Sequence, residues 1–492
     1  MVFEDLSKMG IRSDSGISIY TTIDIGWYDL SRRIAKKHVE ELKFKHDLTN
    51  ASVVIIENKT GNIITLLGSV DYFDESIGGQ NNMALALRQP GSAMKPLTYA
   101  AAFEKGIATP ATAIEDRPKI YLTKKGDGFI PNNYDGRYRG IVLVREALAS
   151  SYNLPAVEML DRVGIESFLE LSHRMGITTM RDEERYDLAL TLGGGEVNLL
   201  ELTNVYATFA REGTWIPYRL ITKIEKDNGE EIFMPENPIP KRVLDEKVSF
   251  LITDILSDKK ARIPTYGEKN TLVLRKPAAV KTGTTTDWHD NWTVGYTPIF
   301  TVGVWVGNSD NHPMKDISGV TGAGVIWSQI FEEILKFEGS TDFKKPEAIV
   351  DVEICTWDGL LPSNACNERT REIFIEGSEP KTVTTLTQKP SYFEDSPIQI
   401  ISPKQNGMYE VGAEDEETLV FELSPKKDFL SIEWILDDKD LSVDECGGYL
   451  SNCHWTPTLG KHKLDVVIET NELGKVTLSS VNFTIVEYRK GW

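Results

Sequence analysis

Residues 88–106 read RQPGSAMKPLTYAAAFEKG, and the fold of this 492-residue chain is decided there. After Arg88-Gln89-Pro90-Gly91 the residues predict a helix over 92–104, with Gly106 as its stop signal. Ser92 opens that helix and Lys95 follows three residues later. Positions i and i+3 share a helix face, so Lys95 points where Ser92 points. A helix N-terminus also favours negative charge developing beside Ser92.

Two further short motifs follow in order, Ser151-Tyr152-Asn153 and Lys281-Thr282-Gly283. Look-alikes show how weak each is alone: Ser257 to Lys260, Ser424 to Lys427, Ser309-Asp310-Asn311 and Lys59-Thr60-Gly61. Context separates them. Ser257 ends a helix and Ser424 precedes Pro425 in a β region. Ser309 comes after Lys281, and Lys59 sits in a hairpin turn. Lys281, by contrast, follows apolar Ala278-Ala279-Val280 and fits a strand. The chemistry suits the residue types. A serine hydroxyl needs a base to become nucleophilic, and no Ser-His-Asp triad is evident. Lysine serves as base only when neutral. From a reference pKa of about 10.4, half-neutrality at about pH 7.5 costs roughly 4 kcal/mol. Burial and a second cation supply that, and Lys281 is the candidate cation. Ser151 is placed to relay a proton to a leaving amine, and Asn153 to orient Lys95 or a carbonyl. Backbone N–H groups would hold the oxyanion.

Outward from these motifs, 17–24 reads as a strand and 25–46 as a helix. ASVVIIE and NIITLLGS form a hairpin through Asn58–Gly61. Helical stretches follow at 141–175, 196–211, 245–257 and 323–337. Strand-like runs lie at 278–285 and 291–308. After residue 340 prolines punctuate the chain, and from 398 short alternating runs predict an all-β sandwich. The expected partition is 1–50 as a remnant of an interdomain linker, 51–340 as the catalytic domain, 341–397 as a linker with short strands, and 398–492 as the sandwich. Length alone gives a prior of about three domains. The net charge of −20 argues against a nucleic-acid partner, and the 40% hydrophobic content against wholesale disorder. No apolar run reaches membrane-helix length, and no signal peptide is visible. The cysteines fall as Cys355/Cys366 and Cys446/Cys453. They read either as two short disulfides of an oxidising compartment or as four buried thiols. The acidic stretch Glu414–Glu417 reads as a solvated loop, and Trp434 and Trp455 as core residues of the β domain. No histidine or cysteine cluster has metal-ligand spacing.

RQPGSAMKPLTYAAAFEKG, SSYNLPAVEML (150–160), LGGGEVNLLELTNVYATFAREG (192–213) and KTGTTTDWHDNWTVGYTP (281–298) together resemble the transpeptidase domain of class A penicillin-binding proteins. ICTWDGLLPSNAC (354–366) and the β region resemble the C-terminal part of the 1C group. The resemblance implies an α/β (α+β) core of the penicillin-binding and serine β-lactamase kind, an antiparallel sheet flanked by helices, ending in an immunoglobulin-like β-sandwich. It makes Ser92 the acylated nucleophile, Lys95 the general base and Ser151 a proton relay. Asn153, Lys281, Thr282, Gly283 and Thr284 become substrate-binding, with the N–H groups of Ser92 and Thr284 as oxyanion hole. The implied reaction is D,D-transpeptidation: acyl transfer from D-Ala-D-Ala stem peptides of peptidoglycan to an acceptor amine, diaminopimelate or lysine. β-Lactams would acylate the same serine. The resemblance implies no metal and no organic cofactor. The implied setting is extracytoplasmic.

The sequence departs from that pattern twice. The family's membrane anchor and glycosyltransferase domain are not legible here, so glycan polymerisation is not expected. A membrane-bound glycosyltransferase or cell-wall assembly protein is then an expected partner. Second, Trp288-His289-Asp290 stands where the family more often shows an arginine. The alternatives are a D,D-carboxypeptidase or β-lactamase-like hydrolase, and a catalytically weak cell-wall scaffold module.

Overall fold

The computed structural model describes residues 6–7, 10–11, 16–117, 119, 121–122, 128–129, 131–285, 288–337, 342–388, 399–403, 407–411, 418–424, 429–441, 452–470, 474–478 and 480–487. The chain divides into two compact units. The larger takes in 1–114, 121–129 and 142–389, and the smaller 115–120, 130–141 and 390–492.

Five antiparallel strands organise the larger unit: β1 (Asn50–Glu57), β2 (Ile63–Leu67), β3 (Ala279–Thr284), β4 (Asp290–Tyr296) and β5 (Phe300–Gly307), in the order β3-β4-β5-β1-β2. β1 and β2 pair as a hairpin closed by Gly61 N donating to Glu57 O at 3.0 Å. The strand-like run expected over 291–308 folds instead as the β4–β5 hairpin. Pro298 has no N–H for a ladder, and Thr297 N donates to Phe300 O at 2.9 Å across the turn.

The helices packed around the sheet include α1 (Ile25–His46), α2 (Lys95–Glu104), α3 (Asn153–Val163), α4 (Leu199–Ala210), α5 (Glu246–Ser257) and α6 (Ala323–Phe337). Side chains alternate across a strand, so β1 sends Val53 and Ile55 to one face and Val54 and Ile56 to the other. The first pair joins Val302 and Val304 against Ala35 and Val39 of α1 and Ile326, Trp327 and Ile330 of α6. The second pair joins Trp292, Val294 and Trp305 against α4 and α5. Burial on both faces explains why β1 reads as an unbroken apolar run.

Two sequence expectations need correction. The 141–175 stretch is not one helical run: Val144–Ala149, α3 and Ile165–Arg174 are separate helices, broken at the positive-φ residues Ser151 and Gly164. Helix α2 does not itself lie on the sheet. The 3-10 turn Gly91–Met94 in front of it packs on β3 and β4, while α2 packs among α3, α5 and the 165–174 helix.

Beyond residue 340, Ile349–Cys355 and Arg369–Ile375 pair antiparallel in full register within the larger unit. A Cys355–Cys366 disulfide closes the loop between them. In the smaller unit, one sheet holds 399–402, 419–424 and 452–455. The other holds 407–411, 431–436, 439–440, 460–470, 474–477 and 481–487. Phe421, Trp434, Trp455, Leu464 and Phe483 from both sheets form its core. Cys446 and the acidic stretch 414–417 lie outside the described residues.

Candidate active site

Ser92 sits in the 3-10 turn, where residues i and i+3 eclipse; Lys95 starts the α-helix behind it, on the same side. The turn is pressed against β3. A Cβ on Gly283 would lie 2.1 Å from Pro90 O, and one on Gly91 (φ +56°) would lie 2.7 Å from Thr284 O and 2.8 Å from Thr284 N. Only glycines permit this approach, and it brings the Thr284 amide beside the Ser92 turn. Trp292 Nε1 donates to Gln89 O at 2.9 Å, and Tyr206 of α4 donates to Ala93 O at 2.8 Å, fixing the turn from two sides.

The opposite wall is built by strain. Ser151 holds φ +64°, a left-handed conformation that costs a non-glycine residue roughly 1–3 kcal/mol. This turn, anchored by Ser150 Oγ donating to Ala261 O at 2.7 Å, presents three acceptors to the fully buried Lys95. Lys95 Nζ donates to Ser151 O at 2.6 Å, Tyr152 O at 3.0 Å and Asn153 Oδ1 at 2.6 Å, with Ser151 Oγ at 3.4 Å. Three acceptors match the three N–H bonds of an ammonium. Lys281 reaches the same hydroxyl from β3: its Nζ lies 2.6 Å from Ser151 Oγ and 3.0 Å from Thr282 O. One serine hydroxyl therefore stands between two buried amines. Burial, and then the positive charge of Arg262, push Lys281 down to about 7.

The structure thus brings Ser92, Lys95, Ser151, Asn153 and Lys281 together with Gly283 and Thr284. Thr282 and Thr284 alternate to the other side of β3 from Lys281 and Gly283. Thr282 Oγ1 is 3.0 Å from Tyr266 OH, and Thr284 Oγ1 accepts from Gly319 N at 2.9 Å. His289 stands off this cluster, its Nδ1 2.8 Å from Asn311 O. Arg88 stacks over Trp305 at 5.6 Å and donates to Ser309 O at 2.7 Å, so the 309–311 look-alike is a structural loop. Among the described residues there is no group of three or more potential metal ligands.

Sequence reading missed Arg262 and Tyr266. Arg262 caps and Tyr266 ends the one-turn helix Ile263–Tyr266, too short for its sequence to carry a periodic signal. Arg262 is 2% exposed, and Tyr266 is half-buried with its hydroxyl bonded to Thr282 and Ser151.

Comparison with known proteins follows the geometry. Residues 51–335 match the family model of the penicillin-binding protein transpeptidase domain, and residues 345–389 match that of the penicillin-binding protein 1A C-terminal domain. Penicillin-binding protein 1A of Aquifex aeolicus is 36% identical over 331 residues, 67% of this chain and 44% of that protein. Penicillin-binding protein 1C of Escherichia coli is 27% identical over 390 residues, 78% of this chain and 47% of that protein. The chain spans about half the length of the curated relatives it matches. Among solved structures, penicillin-binding protein 1A of Haemophilus influenzae superposes with a TM-score of 0.68 at 20% identity, covering 78% of this chain and 76% of that one. PonA1 of Mycobacterium tuberculosis in complex with penicillin V gives 0.58 at 23% identity, covering 70% and 93%. These structures share the fold. With a family model matched over more than half its length, the chain belongs to the penicillin-binding protein transpeptidase family.

Proposed function

We propose that the chain is a serine D,D-transpeptidase of peptidoglycan, acylated at Ser92 by D-Ala-D-Ala stem peptides and by β-lactams. The observation that carries this reading is the Ser151 hydroxyl set between Lys95 Nζ at 3.4 Å and Lys281 Nζ at 2.6 Å. A proton passed from Lys95 through Ser151 Oγ to Lys281 leaves Lys95 neutral and Lys281 charged. Lys95 then takes the Ser92 proton as Ser92 Oγ attacks the penultimate D-Ala carbonyl. The same relay, run back, protonates the leaving D-Ala amine. An acceptor amine of a second stem then attacks the acyl-enzyme and releases Ser92.

The Ser92 and Thr284 amides, adjacent where the turn meets β3, support an oxyanion hole; losing one such donor costs roughly 100- to 1000-fold in rate. Asn153 holds Lys95 in place. Lys281, Thr282, Gly283 and Thr284 form the edge along which the stem peptide's carboxylate end binds. Peptidoglycan is extracytoplasmic, which places the working site in the cell envelope. No helix among the described residues is long and apolar enough to cross a membrane.

The test is labelling with a fluorescent penicillin. A stable adduct with the wild-type protein, lost in folded Ser92→Ala, is the expected result. No adduct with the folded wild type would refute the assignment. Sustained penicillin turnover in place of trapping would move it to a hydrolase.

A further inference from the structure

Arg262 is the buried charge that the chemistry above does not use. Its guanidinium is 2% exposed, and among the described residues Nε, Nη1 and Nη2 have no hydrogen-bond partner. Buried charges are ordinarily paired, so an unpaired one asks for a reason. Its one acidic influence, Asp258, is already bonded to Arg145 Nη1 at 3.1 Å.

Its position supplies a reason. The 261–266 segment touches the site at both ends. Ala261 O accepts from Ser150, one residue before Ser151, and Tyr266 OH meets Thr282, one residue after Lys281. Arg262 lies between these contacts. We propose that Arg262 is a positioning residue of the acyl-transfer site: its buried, unpaired cation, in the segment held against Ser150 and Thr282, keeps Lys281 in the proton-accepting form that the Ser151 relay requires.

The groups facing Lys281 agree with this. From α2 comes Lys95, another amine. From the turn before α3 comes Ser151, a neutral hydroxyl. The 261–266 segment offers Arg262 and Tyr266, whose phenol is held above its usual range by burial and stays neutral. Across the ladder β4 presents Val294. The carboxylates of Asp254 and Asp258 on and after α5 are taken by Arg145, which Glu372 also pairs. No carboxylate among the described residues pairs with Lys281. Arg262 itself, lowered by burial to about 10, remains cationic at neutral pH.

This inference rests on the proposed transpeptidase reading, and its test separates the two. The second-order rate of fluorescent-penicillin acylation is measured from pH 5.5 to 9.5 for wild type, Arg262→Gln and Arg262→Lys, each checked by thermal melting. The wild type should lose rate as pH falls through about 7. Without the cation Lys281 holds its proton more tightly, so Arg262→Gln should move that limb up by about one pH unit. That is about a fivefold loss at pH 7, nearing tenfold at pH 5.5, with near wild-type rate at pH 9.5. Arg262→Lys, which keeps the charge, should restore the wild-type limb. A uniform loss at every pH, or an unmoved limb in folded Arg262→Gln, overturns the proposal and leaves the transpeptidase reading standing. Should Arg262→Gln not fold, the same pH profile of Arg262→Met decides: an unmoved limb overturns the proposal, and a limb moved up by about one pH unit upholds it. Failure of the wild type to form any Ser92 adduct removes the underlying reading instead.

Discussion

Replacing Glu372 with alanine tests whether the 349–375 strand pair supports the catalytic core. Glu372 lies on the Arg369–Ile375 strand with 1% of its side chain exposed. Its carboxylate takes two bonds from Arg145, one from Nε at 2.7 Å and one from Nη2. Arg145 stands in the first turn of the helix that leads to Ser151, and it also binds Asp254 at 2.6 Å and Asp258 at 3.1 Å. Burial works against the Arg145 charge, but the bonds to Glu372 and Asp254 outweigh it and hold the charge firmly. Breaking a buried pair from one side costs about 3–5 kcal/mol. The larger unit has about 370 residues. At roughly 2.1 cal/mol/K per residue its unfolding entropy is near 0.8 kcal/mol/K, so the Tm should fall by about 4–6 °C. Glu372→Gln keeps the shape, and Asp254 and Asp258 still neutralise Arg145, so about half that loss is expected. Differential scanning calorimetry of the three proteins gives the comparison. A Tm within about 1 °C of wild type for Glu372→Ala would refute the reasoning and make the pair a passive surface contact.

Gly283→Ala puts a methyl 2.1 Å from Pro90 O and 3.1 Å from Ala93 N. Both neighbours are backbone, so the Ser92 turn must move. A stability loss of roughly 1–3 kcal/mol should accompany at least a tenfold loss of penicillin acylation, and normal labelling would show that the turn is looser than this contact requires. Lys281→Met tests the pH linkage. The folded value near 7 lies below the unfolded 10.5, so between them the unfolded chain binds the extra proton and wild-type stability rises with pH. Below about pH 7 the full penalty applies, roughly 5 kcal/mol at 1.36 kcal/mol per unit. The variant loses two hydrogen bonds worth about 1 kcal/mol each. It should therefore be about 3 kcal/mol more stable than wild type at pH 6, an advantage that disappears by about pH 10. Urea midpoints across that range that differ by a constant amount would contradict the assignment of the depressed group.

What the sequence discloses depends on how far apart the interacting residues are. The β1–β2 hairpin and α1 are local objects. The turn Asn58–Gly61 and the Asp24 cap, whose side chain accepts from Gly26 N and Trp27 N, sit inside or beside their own elements. The same-side placement of Ser92 and Lys95 is local too, and it survives the change from an α to a 3-10 turn because i and i+3 stay aligned in both. The break at Ser151 escaped because no glycine or proline marks it. The φ of +64° at a serine is held by partners elsewhere in the fold. The 341–397 segment read as a linker because its prolines are conspicuous. Yet Val350-Asp351-Val352-Glu353-Ile354 alternates as a strand should, and its register with 369–375 needs a partner 20 residues on.

Arg262 marks the limit of such reading. Lysine and serine in fixed spacing announce themselves because their roles require mutual placement, whereas a buried unpaired cation announces nothing: the same letter in the same loop would ordinarily be read as solvated surface. Its burial is set by Ala261 contacting Ser150 and Tyr266 contacting Thr282, residues 111 and 16 positions away. Those contacts hold the segment against the site. Burial there has two effects that work together: it desolvates Lys281, and it leaves the field of Arg262 poorly screened. A motif thus fixes which groups meet, while the protonation they meet in is set by loop residues that no motif contains. Variation in the 258–266 segment should accordingly change the pH at which the site works while leaving Ser92, Ser151 and Lys281 in place.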